Sequence, residues 1–363
     1  MRGKLITIHF LLITSFLLSC QSTPTSQPQT SLIIYRFNPP AFIEYSTDFQ
    51  LIKEIPFSIP PSCGLNNTFS APIGKFLVIE LNCPNGQTVL FLDASSSLSA
   101  SSASITQPVI DSDSQFLAWT SDGKAAYLKV DSLGSPRVIR ADPAGAYDPI
   151  VISEFTYDLS AKPDSRDFTF TVSRGLGYGS EIQLAQSNGR NTQPLYSDQY
   201  TYISFARFSP DGKHIAFIKI PDTPTPFTVG ELWVMDADGS NPRKLADADA
   251  GHGYAANWSS DGQKIAFVVR ENPEDEHADQ SSEALVSNIY IVDVESGELT
   301  QVTKYTEGRV ETPFWSPDGN TLAFNAVING RMNVSIADAT TAATGEIQSL
   351  ETESACCPAW MRK

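Results

Sequence analysis

A short motif, an aromatic residue followed by Ser or Thr, a variable residue, Asp and Gly, recurs four times in this chain of 363 residues. Its aspartates lie 89, 50 and 57 positions apart, and a degenerate copy at 162–165 divides the longest interval. Weaker copies lie at 71–76 and 358–360. Seven occurrences at roughly 40 to 50 residues indicate one structural unit used repeatedly, in place of two or three unrelated domains. The four aspartates are Asp122, Asp211, Asp261 and Asp318.

The clearest copy shows what one unit contains. Residues 202–208, 214–220, 231–236 and 243–246 each have the composition of a short strand, and Ser-Pro-Asp-Gly and Asp-Gly-Ser-Asn turns separate them. Four short strands in each unit of this length are typical of a β-propeller blade. The sequence therefore predicts an all-β fold, a propeller, with the repeated aromatic residues as wedges between blades.

The two ends of the chain predict how the ring closes. Residues 31–56 supply three strand-like runs, and the C-terminus supplies only a first-strand motif at 358–360. Joined together, these runs complete one four-stranded blade and leave no free sheet edge. We therefore expect seven blades. A six-bladed ring on residues 57–352 is the alternative if a weak copy at 71 or 163 is not a blade.

The strings SPDGKHIAF, ELWVMDADGSNPRKL and WSPDGNTLAF resemble the PD40, or WD40-like, repeats of the TolB family. The resemblance covers about residues 57–361 and is strongest between 200 and 350. It implies a β-propeller fold. We find no counterpart of the separate N-terminal α/β domain of TolB, so the resemblance does not imply membership of the Tol assembly.

The first thirty residues predict export and lipid anchoring. Two basic residues precede the apolar run 5–18, which is the layout of a secretory signal and is short for a permanent membrane helix. The quartet Leu-Leu-Ser-Cys that ends at Cys20 resembles the lipobox of bacterial lipoproteins, whose cysteine receives diacylglycerol. An ordinary signal peptide with a chance cysteine is the alternative. The predicted segments are a signal peptide over 1–19, a disordered polar tether over 20–30 and the propeller over 31–363.

The charge restricts the partners. The chain has 25 Lys and Arg against 41 Asp and Glu, a net charge of −16, and cleavage after residue 19 would leave 23 − 41, or −18. An acidic chain without a Lys/Arg-rich run is a poor ligand for nucleic acid or anionic lipid headgroups. We expect an extracytoplasmic protein that contacts the membrane only through its lipid. The Gln after Cys20, as the resemblance implies, predicts the outer membrane and periplasm, or the outer surface of a single-membrane bacterium.

Four cysteines remain once Cys20 is assigned to the lipid. Export permits disulfides, and two arrangements stay open. In the first arrangement, Cys63 pairs with Cys83 and Cys356 pairs with Cys357. In the second, Cys63 or Cys83 is linked to one of the two C-terminal cysteines. No C-x-x-C spacing is present, so we expect no metal at these residues.

Four long predicted loops fall on one face of the ring. Loops from the second to the third strand, and from the fourth strand to the next blade, share a face in a propeller, and such insertions mark a working face. The loops are 221–230, 247–254, 271–287 and 304–311, and we expect the acidic part of the third, 271–283, to be a solvated excursion. The candidate binding residues at the mouth of the central channel are Tyr202, His252, Tyr254, Arg309 and Glu311.

The chain carries none of the catalytic motifs G-x-S-x-G, H-E-x-x-H, the P-loop or the dinucleotide fingerprint. The sequence therefore predicts a monomeric scaffold, without cofactor or catalysis, that binds a protein or peptide of the cell envelope through its loop-rich face and central channel. The alternative is a glycan-binding propeller or a metal-dependent, lyase-like glycan enzyme. Some TolB-like propellers are manganese-dependent lyases, and here His252, Arg309 and Glu311 would surround the metal.

Overall fold

A computed structural model describes residues 30–362 with several gaps. The gaps are 73–75, 94–104, 107–113, 131–135, 142–146, 151, 153–155, 176, 187, 224, 250–254 and 341–346. Within the described residues, seven small antiparallel sheets form the ring of a seven-bladed β-propeller. No helix in these ranges is long and apolar enough to cross a membrane.

The strands follow one another around the ring. Blade 1 begins with β1 (Thr30–Phe37), β2 (Pro40–Ser46) and β3 (Leu51–Pro56). Blade 2 contains β4 (Gly64–Ser70), β5 (Phe76–Cys83), β6 (Gly86–Asp93) and β7 (Ile105–Thr106). Blade 3 contains β8 (Ser114–Trp119), β9 (Ala125–Val130), β10 (Pro136–Ala141) and β11 (Tyr147–Ile150). Blade 4 contains β12 (Thr156–Ala161), β13 (Phe168–Ser173), β14 (Ser180–Ala185) and β15 (Gln193–Asp198).

The remaining blades repeat this order. Blade 5 contains β16 (Thr201–Phe208), β17 (His214–Pro221), β18 (Val229–Asp236) and β19 (Arg243–Asp249). Blade 6 contains β20 (Asn257–Trp258), β21 (Lys264–Arg270), β22 (Ser287–Asp293) and β23 (Leu299–Gln301), with a short 3-10 helix at Ser282–Ala284. Blade 7 contains β24 (Arg309–Val310), β25 (Phe314–Trp315), β26 (Thr321–Ile328), β27 (Arg331–Asp338) and β28 (Gln348–Ser349). The last strand is β29 (Ala355–Arg362).

Both ends of the chain build blade 1. Strand β29 pairs antiparallel with β1, from Thr30 opposite Arg362 to Arg36 opposite Ala355. The sheet order is β29-β1-β2-β3, so the C-terminal strand is the innermost one. The prediction of seven blades closed by both termini is confirmed, and the six-bladed alternative is wrong because the weak copies at 71 and 163 each lie between the first and second strands of a blade, blades 2 and 4.

All four predicted loops are shorter than the sequence suggested, and strands include Pro221, Val229 and Gly230 of the first loop and Ser287 of the third. Residues 247–249 belong to β19, because a register shift after Leu232 lets this strand continue until Asp249 pairs with Val229. Residues 309–310 form β24, which pairs with β26 and makes the inner strand of blade 7 a two-part strand.

The hydrophobic core lies between blades. Side chains alternate across a strand, so successive residues of β5 face different neighbours. Leu77 and Ile79 pack in a cluster with blade 1, whereas Val78 packs in a cluster with Phe116 of blade 3. A blade therefore has no core of its own, and the ring folds as a unit of mutually dependent sheets.

The two faces of the ring carry different connections. We call the face with the second-to-third strand loops and the links between blades the loop face. The opposite face carries the Ser/Thr-x-Asp-Gly turns, and we call it the turn face. In one such turn, Ser209 Oγ donates to Asp211 Oδ1 (2.6 Å) and accepts from the backbone N–H of His214 (3.0 Å). Gly212 has a φ of +68°, which a glycine adopts without a steric penalty.

The repeated tryptophans join neighbouring blades. Trp258 Nε1 donates to the backbone carbonyl of Arg207 in blade 5 (3.1 Å), and Trp315 Nε1 donates to that of Asn257 in blade 6 (3.0 Å). Trp119 and Trp360 make the same bond to the preceding blade (3.1 Å each). These side chains lie between blades as predicted, and their indole N–H groups also connect one inner strand to the next.

Candidate functional site

A cavity of about 770 Å³ lies on the axis of the ring. Inner strands of all seven blades contribute to its wall, since Thr68, Ala118, Asp158, Phe205, Trp258, Trp315 and Trp360 all line it. The volume falls within the range of about 300 to 1,000 Å³ that is usual for sites binding small ligands. The axial cavity is therefore the main candidate site within the described residues.

Bulges in the inner strands direct side chains toward this cavity. Strands β4, β8, β12, β16 and β29 each show a register shift against the next strand of the same blade. The shift in β16 falls between Ser204 and Arg207, and Phe205 there has a φ of +55°. Bulges re-aim side chains at the rims of sheets and beside binding sites. Phe205 and Asp158 are bulge residues that line the cavity.

Aromatic side chains make up much of the wall. They line the cavity, while the indole N–H groups of the tryptophans form the inter-blade hydrogen bonds. An aromatic wall offers a ligand apolar contact with little loss of side-chain entropy. The aromatic residues of the wall are Phe69, Phe116, Trp119, Phe205, Trp258, Phe314, Trp315 and Trp360.

One ion pair provides the main charge in the wall. The Arg207 guanidinium bonds through Nη1 to Asp158 Oδ1, and Asp158 Oδ2 accepts from the backbone N–H of Ala206 (2.8 Å). Asp158 is only 4% exposed, whereas the Arg207 side chain is 27% exposed. Within the described residues, Nε and Nη2 of Arg207 have no hydrogen-bond partner. The cavity thus contains a fixed cation with free donors.

Glu80 is the second carboxylate of the wall. It accepts from Asn66 Nδ2 (2.6 Å) and from the backbone N–H of Phe116 in the next blade (3.0 Å). Burial raises the pKa of the Glu80 carboxyl, and these two hydrogen bonds oppose the rise only in part. Glu80 therefore ties blade 2 to blade 3, and its oxygens are occupied by those bonds.

The axial cavity lies toward the turn face. Its lining includes turn residues such as Pro72, Pro210 and Pro317, together with the later part of the inner strands. Inner strands run from the loop face to the turn face, so residues at their beginnings are at the other end of the axis. The sequence analysis placed the candidate binding site at the other end, at the mouth of the central channel on the loop face.

The predicted binding residues occupy that other end where they are described. Tyr202 is the second residue of β16 and pairs with Ile220. Arg309 Nε lies 4.0 Å from Glu311 Oε1, and Arg309 Nη1 donates to Ser282 O (3.4 Å). None of these three lines the described axial cavity. His252, Tyr254 and Cys20, the residue predicted to carry the lipid, lie outside the described residues.

The acidic segment 271–283 exposes Glu274, Glu276 and Glu283 to solvent, as predicted, and hydrogen bonds to Arg270 give its backbone a defined structure. The buried Arg270 donates to Asn272 O (3.1 Å), Asp275 O (2.9 Å) and Asp279 Oδ1 (2.8 Å). Ala278 is fully buried beneath the loop. One buried guanidinium thus binds three acceptors of the same loop and holds its backbone in place. The charge of the sequence segment alone does not predict this arrangement.

The four cysteines other than Cys20 form two disulfides in the structure. Cys63 is bonded to Cys83, and Cys356 to its neighbour Cys357. This is the first of the two arrangements considered from the sequence. Cys357 also joins blades, because its N–H donates to Asn325 Oδ1 (3.0 Å) and its carbonyl accepts from Thr68 Oγ1 (2.6 Å).

In the part of the chain that is described, no three His, Cys, Asp or Glu side chains are placed to hold a metal ion. Sequence reasoning missed Arg207, although the residue stands directly before the motif aromatic Phe208. A basic residue at a position that faces the ring axis was the available signal. Its partner Asp158 lies in the degenerate blade 4, where the weak repeat obscured the register.

Comparisons with known proteins agree with the fold. No family model matches the chain. Dipeptidyl-peptidase 5 of Porphyromonas gingivalis is 28% identical over 106 residues, 29% of this chain and 15% of that protein. An uncharacterized protein of Agrobacterium fabrum is 24% identical over 219 residues, 56% of this chain and 62% of that protein. The chain thus spans less than two thirds of the length of these relatives.

Solved structures show the same architecture. TolB from Acinetobacter baumannii superposes with a TM-score of 0.51 and 18% identity, over 88% of this chain and 78% of that one. An oligogalacturonate lyase in complex with manganese gives 0.57 and 12%, over 85% and 90%. A puromycin hydrolase gives 0.59 and 14%, over 91% and 53%. At these identities the likeness concerns the fold alone. In fold, the chain is a TolB-like β-propeller.

Proposed function

We propose that this protein is a lipid-anchored, extracytoplasmic binding protein whose axial cavity takes up a segment of a polypeptide. The observation that carries the proposal is the cavity itself, which has an aromatic wall and two arginines, Arg362 and the half-buried Arg207, whose free donors are oriented by Asp158. Fold likeness to TolB, oligogalacturonate lyase and hydrolases is compatible with several activities, so the proposal depends on the site.

The Arg207 guanidinium indicates the chemistry of the ligand. Its planar fork suits a carboxylate or a pair of carbonyl oxygens, and Asp158 fixes its orientation from behind. Apolar or aromatic ligand side chains would pack on the surrounding rings. A peptide with a carboxylate, or with a bent backbone that presents carbonyls, combines both features.

The amide groups of the wall favour a second candidate, a short oligosaccharide. Asn67, Gln115 and Asn257 line the cavity beside the tryptophans. Amides and indole faces are common in sites for neutral ligands that carry many hydroxyl groups. Asn257 Nδ2 is already engaged with Pro313 O (2.8 Å), which leaves fewer donors for sugar hydroxyls. We therefore place the peptide first.

The proposed anchor gives the cavity an orientation. Strand β1 begins at Thr30, opposite Arg362 at the turn-face end of β29. Nine residues separate Cys20 from Thr30, so a fully extended tether spans at most about 35 Å. Lipidation at Cys20 would hold the turn face, with the axial cavity, toward the membrane and leave the loop face directed away from it.

Binding selections on matched variants test this proposal. Protein beginning at residue 21 is selected against a random dodecapeptide library on phage and, in parallel, probed on a glycan array. Arg207→Lys keeps a cation against Asp158 but removes the fork, and Gln115→Trp fills the cavity without removing any hydrogen bond known in the described residues. Arg243→Lys, at an arginine that donates to Val294 O outside the cavity, is the matched control.

We expect enriched peptides whose affinity falls at least tenfold in both cavity variants and is unchanged in the control. Thermal unfolding of each variant shows that the fold is retained. Peptides that bind all variants equally would contradict the cavity as the site. Binding of glycans alone, with the same sensitivity to the variants, would favour the oligosaccharide.

A further inference from the structure

Two tyrosines on the loop face are the most exposed large hydrophobic side chains among the described residues. Tyr178 is 73% exposed and Tyr200 is 76% exposed. Tyr178 lies in the loop between β13 and β14, and Tyr200 in the link from β15 to β16. Both connections belong to the loop face, away from the axial cavity. Exposed aromatic side chains that come close together on a surface are candidates for an interface.

Backbone packing brings the two tyrosines together. A Cβ atom placed on Gly179 would lie 2.1 Å from Asp198 O and 2.6 Å from Gln199 Cα, so the two connections are in direct backbone contact there. Tyr178 and Tyr200 are each one residue from this contact. Because consecutive Cα atoms are 3.8 Å apart, the Cα atoms of the two tyrosines are separated by no more than about 12 Å.

Hydrogen bonds fix both connections. The Tyr178 N–H donates to Gly175 O (3.0 Å), and the Tyr200 N–H donates to Asp198 Oδ1 (2.8 Å). Asp222 of blade 5 links them, since its Oδ2 accepts from the Gly177 N–H and its own N–H donates to Tyr200 O (3.3 Å). Tyrosines held on a rigid backbone lose little entropy on binding and are frequent in interface hot spots.

The neighbouring loops are acidic and joined to this pair. The blade 5 loop continues from Asp222 to Phe227, whose N–H donates to Asp279 O of the blade 6 loop (3.2 Å). The blade 6 loop presents exposed carboxylates at Glu274, Glu276 and Glu283. The basic groups nearby are engaged: Lys219 with Asp198 (2.7 Å), Arg174 with Glu181 (2.9 Å) and Arg270 with Asp279 (2.8 Å).

From this arrangement we infer a second binding surface, the tyrosine patch, formed by Tyr178 and Tyr200 and bordered by the blade 6 loop 271–286. Its partner is a polypeptide segment with Lys or Arg residues. Their cations would lie over the tyrosine rings and against the carboxylates, while their aliphatic stems cover the apolar ring surface. The patch is on the opposite face from the axial cavity, so it does not depend on the proposed function.

Two labelled peptides of equal length test the charge preference. Fluorescence anisotropy measures the binding of the nonapeptide (Lys-Leu-Pro)₃ and of (Glu-Leu-Pro)₃ to protein beginning at residue 21, at 25 mM and 300 mM NaCl. We expect the lysine peptide alone to bind, more weakly at the higher salt because exposed charges are screened. Absence of binding by the lysine peptide, or equal binding of both peptides, would overturn the inference.

Matched variants locate the binding. Tyr178→Ala with Tyr200→Ala should weaken the lysine peptide at least tenfold, and Glu274→Gln with Glu276→Gln and Glu283→Gln should reduce the salt dependence. The control carries Leu299→Ala, Glu295→Gln and Glu298→Gln, which alter an exposed leucine and two exposed carboxylates at the turn face of blade 6. A loss of binding in the control equal to that in the patch variants would also overturn the inference. Arg207→Lys, which alters the axial cavity, should leave binding of the lysine peptide unchanged.

Discussion

Trp315 Nε1 donates a hydrogen bond of 3.0 Å to the backbone carbonyl of Asn257, the inner-strand residue of the preceding blade. The ring repeats this bond at Trp119, Trp258 and Trp360, so the motif aromatic residue both fills the space between blades and fixes their register. Blade 5 has Phe208 at the same position, and a phenylalanine side chain has no N–H group to donate this bond. The hydrogen bond between neighbouring inner strands is therefore present where the motif residue is tryptophan and absent where it is phenylalanine.

The first prediction concerns this bond. Trp315→Phe keeps an aromatic wedge but leaves the carbonyl of Asn257 without its donor. Because the substitution removes one hydrogen bond to a half-buried carbonyl, we expect the free energy of unfolding to fall by about 1 kcal/mol. Urea unfolding measures the change. Trp233→Phe is the control, because Trp233 Nε1 bonds to Glu231 within its own blade (2.8 Å), and an equal loss there would argue against an inter-blade role.

The second prediction concerns the acid behaviour of the repeated turn. The hydrogen bond from Ser209 is the main cause that lowers the pKa of Asp211 from 3.8 to about 2, and contacts with Lys213 add to it. A lowered folded-state pKa means that the stabilisation is present above about pH 4 and is lost as the pH falls toward 2. NMR titration of the Asp211 carboxyl should show this value directly.

Ser209→Ala should move the Asp211 pKa back toward 3.8, and Lys213→Ala should move it less. Asp261 shares the turn, and the bond from Ser259 lowers its pKa as well. Ser209→Ala should therefore leave the Asp261 titration unchanged. An Asp211 carboxyl that titrates near 4 in the wild type would refute the assignment of the hydroxyl bond as the cause.

The sequence predicted the parts of the fold that depend on local chemistry. The Asp-Gly turns and the aromatic wedges follow from residues near one another in the repeat, and the shared closing blade follows from the incomplete repeats at the two ends of the chain. The position of the cavity did not follow, because it depends on bulges such as the one at Phe205, which shift the register without any change in hydrophobic pattern. The Arg207 and Asp158 pair was equally hidden, since its members stand 49 positions apart in different blades.

The third prediction compares the two disulfides. The Cys63–Cys83 bond closes a loop with a sequence separation of 20, and the bond between Cys356 and Cys357 spans a separation of one. A cross-link over a loop of that size removes unfolded-state entropy worth about 3 kcal/mol, whereas a vicinal one removes little by the same mechanism. Cys63→Ala with Cys83→Ala should therefore lower Tm markedly. Retention of the wild-type Tm without this bond would contradict the argument.

The fourth prediction concerns the anchor. If Cys20 carries the lipid, Cys20→Ala should abolish incorporation of radiolabelled palmitate and move the protein from the membrane to the soluble fraction. Arg207→Lys, a substitution far from the N-terminus, is the control and should leave both unchanged. A Cys20→Ala protein that still partitions with membranes would mean that something other than this lipid holds it there.

The fifth prediction concerns the loop beside the tyrosine patch. Arg270 has a side chain only 1% exposed and donates to three acceptors of the 271–286 loop, including the Asp279 carboxylate, so Arg270→Gln leaves all three without their cation. Since the buried guanidinium is the common donor to these three acceptors, its removal leaves them without a hydrogen bond, and we expect the loop to open while the blades persist. Hydrogen exchange should rise at least tenfold for amides in 271–286 and remain unchanged in β17 and β18.

Arg243→Gln is the control for this prediction. It removes a single hydrogen bond on the turn face and should leave exchange in the loop as in the wild type. Uniformly faster exchange across blade 6 in Arg270→Gln would contradict this prediction. It would show that Arg270 stabilises the whole blade and not the loop alone.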